Sequence, residues 1–239
     1  MSEDAPDTSL VLGVLGGMGP AATLEFLRQL QAFTPAKGDQ DHIRVLMDLN
    51  PKVPDRNLLG SAAGAVLAEM AGALAGAGAE VLAMPCNTAH AHADLIQRAS
   101  GLPLIDLIET GASAARDLGA RRVGVIGTKG ATRLYREYLA AQAMGLVSLD
   151  ADRQEEFMAT IYKIKGGDLG PAVQREMAGY AADLVAAGAE AVIAGCTEAP
   201  LVMGAHDVRV AFIDPGELLA RRCVAVCLGL EPAPAALGA

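Results

Sequence analysis

Positive charge is scarce in this sequence. Its 19 lysines and arginines stand against 28 aspartates and glutamates, giving a formal net charge of -9, and no basic cluster stands out. A surface that grips a nucleic-acid backbone concentrates Lys and Arg, so the composition points away from that partner. The same deficit argues against adsorption on an anionic membrane. Long apolar runs are lacking too. Residues 62–79 are rich in Ala and Gly but carry Glu69 and are only weakly hydrophobic, which predicts a helix packed in a globular fold and not a membrane span. The first nine residues are acidic and polar, without the basic start and apolar stretch of a secretory signal, so the expected compartment is the cytoplasm. Cysteine is limited to Cys86, Cys196, Cys223 and Cys227, which such a setting keeps as thiols.

What is present is a globular composition, 52% hydrophobic over 239 residues, enough for one large or two small domains. Short apolar runs at 11–15, 43–49, 81–84, 104–107, 123–126, 191–194 and 208–213 lie between helical patterns at 21–33, 63–77, 90–100, 109–118, 132–143, 169–187 and 216–228. Continuous apolar strands between helices predict parallel sheets covered on both faces.

The chain also repeats itself. Val14-Leu15-Gly16 returns 111 residues later as Val125-Ile126-Gly127, and Ala77-Gly78-Ala79-Glu80 returns after 110 as Ala187-Gly188-Ala189-Glu190. Cys86 falls on Cys196 at that same offset of 110, and Ile105-Asp106 returns after 108 as Ile213-Asp214. The shared offset predicts an α/β fold of two similar doubly wound parallel-sheet domains related by pseudo-symmetry. One domain is expected over 1–106 with a returning C-terminal segment, 208–239, and the other over 107–207. Residues 1–9 and 231–239 read as tails.

Ligands in open α/β sheets bind beyond the carboxyl ends of strands. Cys86 and Cys196 each lie two residues past such an end, so two facing halves would set them on opposite walls of one cleft. A pair of thiols there could take a proton from one face of a carbon and return one to the other. Thiol pKa values, near 8.5 unperturbed, respond to helix N-termini and nearby donors. Asn87, Thr88 and Thr197 follow the cysteines at once and could hold a substrate carboxylate as charge grows on it. Cys223 and Cys227, spaced i, i+4 in an apolar helix, read as core packing.

At these residues the sequence resembles the aspartate/glutamate racemase superfamily, and within it the aspartate racemases. The matching pieces are Leu15-Gly16-Gly17-Met18-Gly19-Pro20, Pro54-Asp55-Arg56, Met84-Pro85-Cys86-Asn87-Thr88-Ala89-His90, Ile161-Tyr162 with Lys165, and Gly195-Cys196-Thr197-Glu198. The resemblance implies a racemase that needs no pyridoxal phosphate or other cofactor, holds no metal, and uses Cys86 and Cys196 as a catalytic pair in the cleft between the domains. It also implies that Arg56 and Lys165 bind an amino-acid substrate, with aspartate expected. Met18, Thr128 and Glu198 complete the expected substrate-binding set, and a homodimer is the expected assembly. Glu198 stands where glutamate racemases carry a His, which points away from that branch. Residues 57–65, after Arg56, form a shorter and less polar stretch than in typical aspartate racemases. Three rivals stay open: a zinc site built on Cys86, His90 and His92, an isomerase or decarboxylase of the same superfamily, and a ligand-binding protein without catalysis.

Overall fold

The apolar runs form two sheets with one plan. In the first, β1 (Leu12–Gly16) is flanked by β2 (Val45–Leu49) and β3 (Val81–Ala83), and β4 (Leu104–Ile105) follows β3, all parallel. In the second, β5 (Arg122–Val125) is flanked by β6 (Gly145–Val147) and β7 (Ala191–Ile193), with β8 (Ala211–Ile213) beyond. The register reproduces the sequence repeat. Leu12 faces Val81 as Val123 faces Ala191, and Ala83 faces Ile105 as Ile193 faces Ile213. The structure, a computed structural model, describes residues 9–57 and 62–237. The expected tails at 1–9 and 231–239 lie partly outside these.

Eight α-helices are described: α1 (Pro20–Phe33), α2 (Ala63–Gly76), α3 (Ala93–Ser100), α4 (Leu107–Asp117), α5 (Lys129–Ala141), α6 (Ala151–Lys165), α7 (Pro171–Ala186) and α8 (Pro215–Cys227). Their starts are written in the sequence. Pro20, Pro171 and Pro215 open α1, α7 and α8, where the missing N–H costs no helical bond. Asp106 and Asp214, one of the repeated pairs, each directly follow a strand and cap the next helix, accepting from Ile108 N and Glu109 N and from Gly216 N and Glu217 N. Thr128 and Asp150 cap α5 and α6 in the same way.

The core has three layers. Helices α2 and α3 cover the outer face of the first sheet around Leu67, Met70, Leu82 and Ile96. Helices α6 and α7 cover the outer face of the second around Phe157, Ile161, Met177 and Val192. Between the sheets, α1, α4, α5 and α8 share one cluster with residues of both, among them Val14, Ile105, Val125 and Ile193. Each fully buried aliphatic side chain contributes about 1.5–3 kcal/mol, so this shared layer joins the halves into one folded body. Cys223 and Cys227 sit in it, 0% and 1% exposed, as core residues.

One expectation is corrected. Residues 208–213 do not return to the first half: β8 pairs with β7 and closes the second sheet. Ile213 is buried there, and β8 fills the edge of β7 that β5 leaves open. The return is made by α8, which packs on α1 and α4, while its last residue accepts a hydrogen bond from Leu10 N. The helical pattern at 90–100 resolves into a 3-10 turn, Thr88–His92, followed by α3, and Leu107 opens α4 instead of ending a strand. Strand β6 and helix α6 were not expected.

Candidate active site

Strand β3 ends at Ala83 and the chain runs through Pro85 to Cys86 before the 3-10 turn begins. Strand β7 ends at Ile193 and runs through Gly195 to Cys196, with a 3-10 turn, Ala199–Leu201, just beyond. The two loops thus leave equivalent strands in the same way. Both cysteines line one cavity of about 230 Å³ between the halves. That is smaller than the roughly 300–1,000 Å³ usual for drug-sized ligands, and suits a small metabolite.

The ten residues expected to form the site all line this cavity. The first half supplies Met18, Arg56, Cys86, Asn87 and Thr88, and the second Thr128, Lys165, Cys196, Thr197 and Glu198. Asn87 is buried, and its Oδ1 accepts from Tyr135 Oη–H at 2.9 Å. Its Nδ2 has no protein partner, so a donor is held ready beside Cys86. The hydroxyls of Thr88 and Thr128 lie 2.8 Å apart and bridge the halves. Arg56 is held loosely, through long contacts of 3.4 Å to the carbonyls of Pro54 and Met18, and its Nε is unpartnered. Residues 58–61, within the stretch that follows it, lie outside the described residues.

The second half is more tightly wired. Glu198, 3% exposed, accepts from Lys165 Nζ at 2.7 Å and from Gly19 N at 3.1 Å through Oε1. Its Oε2 accepts from Cys196 Sγ at 3.0 Å. Burial and then the Glu198 charge push the Cys196 thiol pKa well above the ordinary value, against the pull of Lys165. Burial works against the charge on Lys165, but Glu198 and the two cysteines outweigh it and raise its pKa. Lys165 therefore stays an ammonium, and it acts electrostatically on both thiols.

Of the other wall residues, Met158 was left out by the sequence reading, and Asp55, Ile161 and Tyr162 stood only in the matching pieces, without a site role. Met158, Ile161 and Tyr162 come from the same face of α6 as Lys165, and Asp55 accepts from Asn57 and, at 3.4 Å, from Tyr162. The i, i+3, i+4, i+7 spacing of 158, 161, 162 and 165 after an Asp cap was the available signal. His90 was a candidate zinc ligand, and the structure gives it another task. Its Nε2 accepts from Leu107 N at 3.1 Å, so the proton is on Nδ1, which donates to the Cys86 carbonyl at 2.9 Å. Both ring nitrogens are engaged in fixing the cysteine loop, and none is left for a metal. Among the described residues, no group of three His, Cys, Asp or Glu side chains could hold a metal ion.

The family model of the Asp/Glu/hydantoin racemases matches residues 15–223. The chain belongs to that racemase family. A broad specificity amino-acid racemase from Bacillus subtilis (strain 168) is 23% identical over 92% of this chain and 100% of its own length. Two solved structures share the fold. An aspartate racemase homologue from Pyrococcus horikoshii OT3 is 26% identical with a TM-score of 0.74, covering 90% of this chain and 98% of its own. The Picrophilus torridus aspartate racemase is 24% identical with a TM-score of 0.77, covering 91% and 94%. In this racemase-family chain no described helix is long and apolar enough to cross a membrane.

Proposed function

We propose that this protein is a cofactor-independent amino-acid racemase that interconverts L- and D-aspartate, with Cys86 and Cys196 as its two acid–bases. The observation that carries the reading is the pairing of the two thiols, on equivalent loops of the two halves, in one small cavity. A racemase must remove a weakly acidic proton from Cα and return one from the opposite face. One thiolate accepts the proton as the C–H bond breaks and its electron pair moves into the α-carboxylate. The opposite thiol then delivers its proton to Cα. Asn87 Nδ2 and the hydroxyls of Thr88, Thr128 and Thr197 are the donors suited to the carboxylate as its charge grows. Arg56 and the spare donors of Lys165 suit the second carboxylate of aspartate.

One observation favours a broader substrate range. The cations Arg56 and Lys165 share the cavity with the carboxylates of Asp55 and Glu198, so the wall carries no formal net charge. The relative from Bacillus subtilis is described as broad in specificity. The deciding experiment supplies each enantiomer of aspartate, glutamate, alanine and serine without cofactor and follows optical conversion. Fastest turnover of aspartate supports the narrower reading. Similar efficiency on all four supports the broader one, and conversion of none defeats both.

A further inference from the structure

The two cysteine loops are equivalent in fold and unequal in chemistry. Two places beyond Cys86 stands Thr88, and two places beyond Cys196 stands Glu198. Both side chains reach a glycine at a helix start of the opposite half, Gly130 in the first turn of α5 and Gly19 at the N-cap of α1. A Cβ on Gly130 would sit 2.9 Å from Thr88 Cγ2, and one on Gly19 would sit 2.9 Å from Glu198 Oε1. The pseudo-symmetry is thus kept in position and broken in charge at one place beside the cavity.

We propose that Glu198 is a positioning residue for Cys196, making Cys196 the proton donor and leaving Cys86 the proton acceptor of the free protein. This rests on the racemase reading and specifies which thiol starts in which state. The carboxylate cannot turn away, because Oε1 is held by Lys165 and Gly19 N and only Oε2 meets the thiol. The charged groups facing Cys196 are Glu198 on its own loop and Lys165 from α6, while the loop after β1 contributes an N–H and no charge. Lys165 couples more strongly to Cys196 than to Cys86, so it works against the difference that Glu198 makes and does not create it. Exposure does not either, at 5% for Cys86 and 6% for Cys196. Glu198 is the difference.

With the enantiomer whose proton faces Cys86, the thiolate takes that proton and Cys196 gives its own to the other face. Cys86 is left as thiol and Cys196 as thiolate beside a carboxylate. The starting state returns when Cys86 gives one proton to water and Cys196 takes one from water, a step that the Glu198 charge favours. The opposite enantiomer must react from the less populated state.

The test is site-resolved alkylation of the full, substrate-free chain by iodoacetamide between pH 6 and 10, read by peptide mass spectrometry. Thiolate content sets the rate, and one pKa unit is tenfold in that content. At pH 7, Cys86 is expected to react about tenfold or more faster than Cys196. Glu198→Gln is expected to speed Cys196 by about tenfold and change Cys86 by less than about threefold. Lys165→Met, which keeps Glu198, is expected to slow Cys196 further and preserve the order of the two thiols. Equal rates in the unmodified protein, faster reaction at Cys196, or a folded Glu198→Gln variant with an unchanged Cys196 would overturn the proposal. If that variant does not fold, the order in the unmodified protein and in Lys165→Met decides. Alkylation needs no turnover, so the two readings fail separately: racemisation with equal labelling sinks this assignment alone, and ordered labelling without racemisation sinks the racemase reading.

Discussion

At the scale of single residues, the cavity sets two cations against two carboxylates. Of the four, Arg56 is the one with the weakest internal hold. A charge-assisted hydrogen bond is worth about 1.5–3 kcal/mol. Arg56→Ala should therefore lower kcat/KM on aspartate by roughly ten- to a hundredfold and on alanine far less. Equal losses on both would place Arg56 on the α-carboxylate or in the fold. Cys86→Ser and Cys196→Ser should each abolish racemisation, while Cys223→Ala, in the shared core, should lower Tm and leave turnover nearly intact. Normal racemisation by either folded serine variant would remove that thiol from the mechanism. The cysteine pair was legible because it sits on a repeat and at strand ends. The Asn87–Tyr135 bond and the His90 brace were not. Their partners lie 48 and 17 residues away, and nothing local in the sequence signals such contacts.

At the scale of elements, strands and most helices followed from apolar runs and caps, whereas α6 was missed although it carries Lys165 and three further wall residues. Its charged residues hide a narrow apolar stripe, Phe157, Ile161 and Ile164, that faces the second core. Strand β6 was missed because it opens on an exposed glycine and has only two apolar side chains, of which Val147 alone is buried. Asp150, which accepts from Arg153 N at 2.9 Å, starts α6. Asp150→Ala should cost about 0.5–2 kcal/mol and lower Tm by a few degrees, as read by thermal melting. Asp214 starts α8, and burial raises its pKa to about 6, against the backbone N–H groups of Glu217 and Gly216 that lower it. A folded pKa above the unfolded one means that the native state binds the extra proton, so this contribution to stability falls as pH rises from about 4 to about 6. Asparagine keeps a capping oxygen and does not titrate. The stability difference between Asp214→Asn and the unmodified protein should shift toward the variant, on the order of 1–2 kcal/mol, between pH 4.5 and 7.5. A difference independent of pH would show that Asp214 does not titrate in this window.

At the scale of the whole molecule, the repeat foretold two sheets with one strand order, and the register bears this out. The return of α8 to the first half was expected from the sequence, but not that β8 stays with the second sheet. An apolar run states that it will be buried, not against which sheet. The halves meet at the cavity through the close approaches of Gly19 and Gly130. Gly130→Ala brings a methyl group within 2.9 Å of Thr88 Cγ2 and forces the walls to shift. A displacement of about 1 Å can cost on the order of a hundredfold in rate, so this variant should lose at least about tenfold in kcat/KM with little change in Tm. Unchanged kinetics would mean that the walls yield there without moving the thiols. The most direct test of opposed thiols is racemisation of each aspartate enantiomer in deuterium oxide, stopped at low conversion and read separately in substrate and product. Two bases on opposite faces place solvent deuterium at Cα of the product while the recovered substrate keeps its protium. Deuterium appearing equally in recovered substrate and product would show a single base exchanging with water on one face, and would contradict the roles given to Cys86 and Cys196.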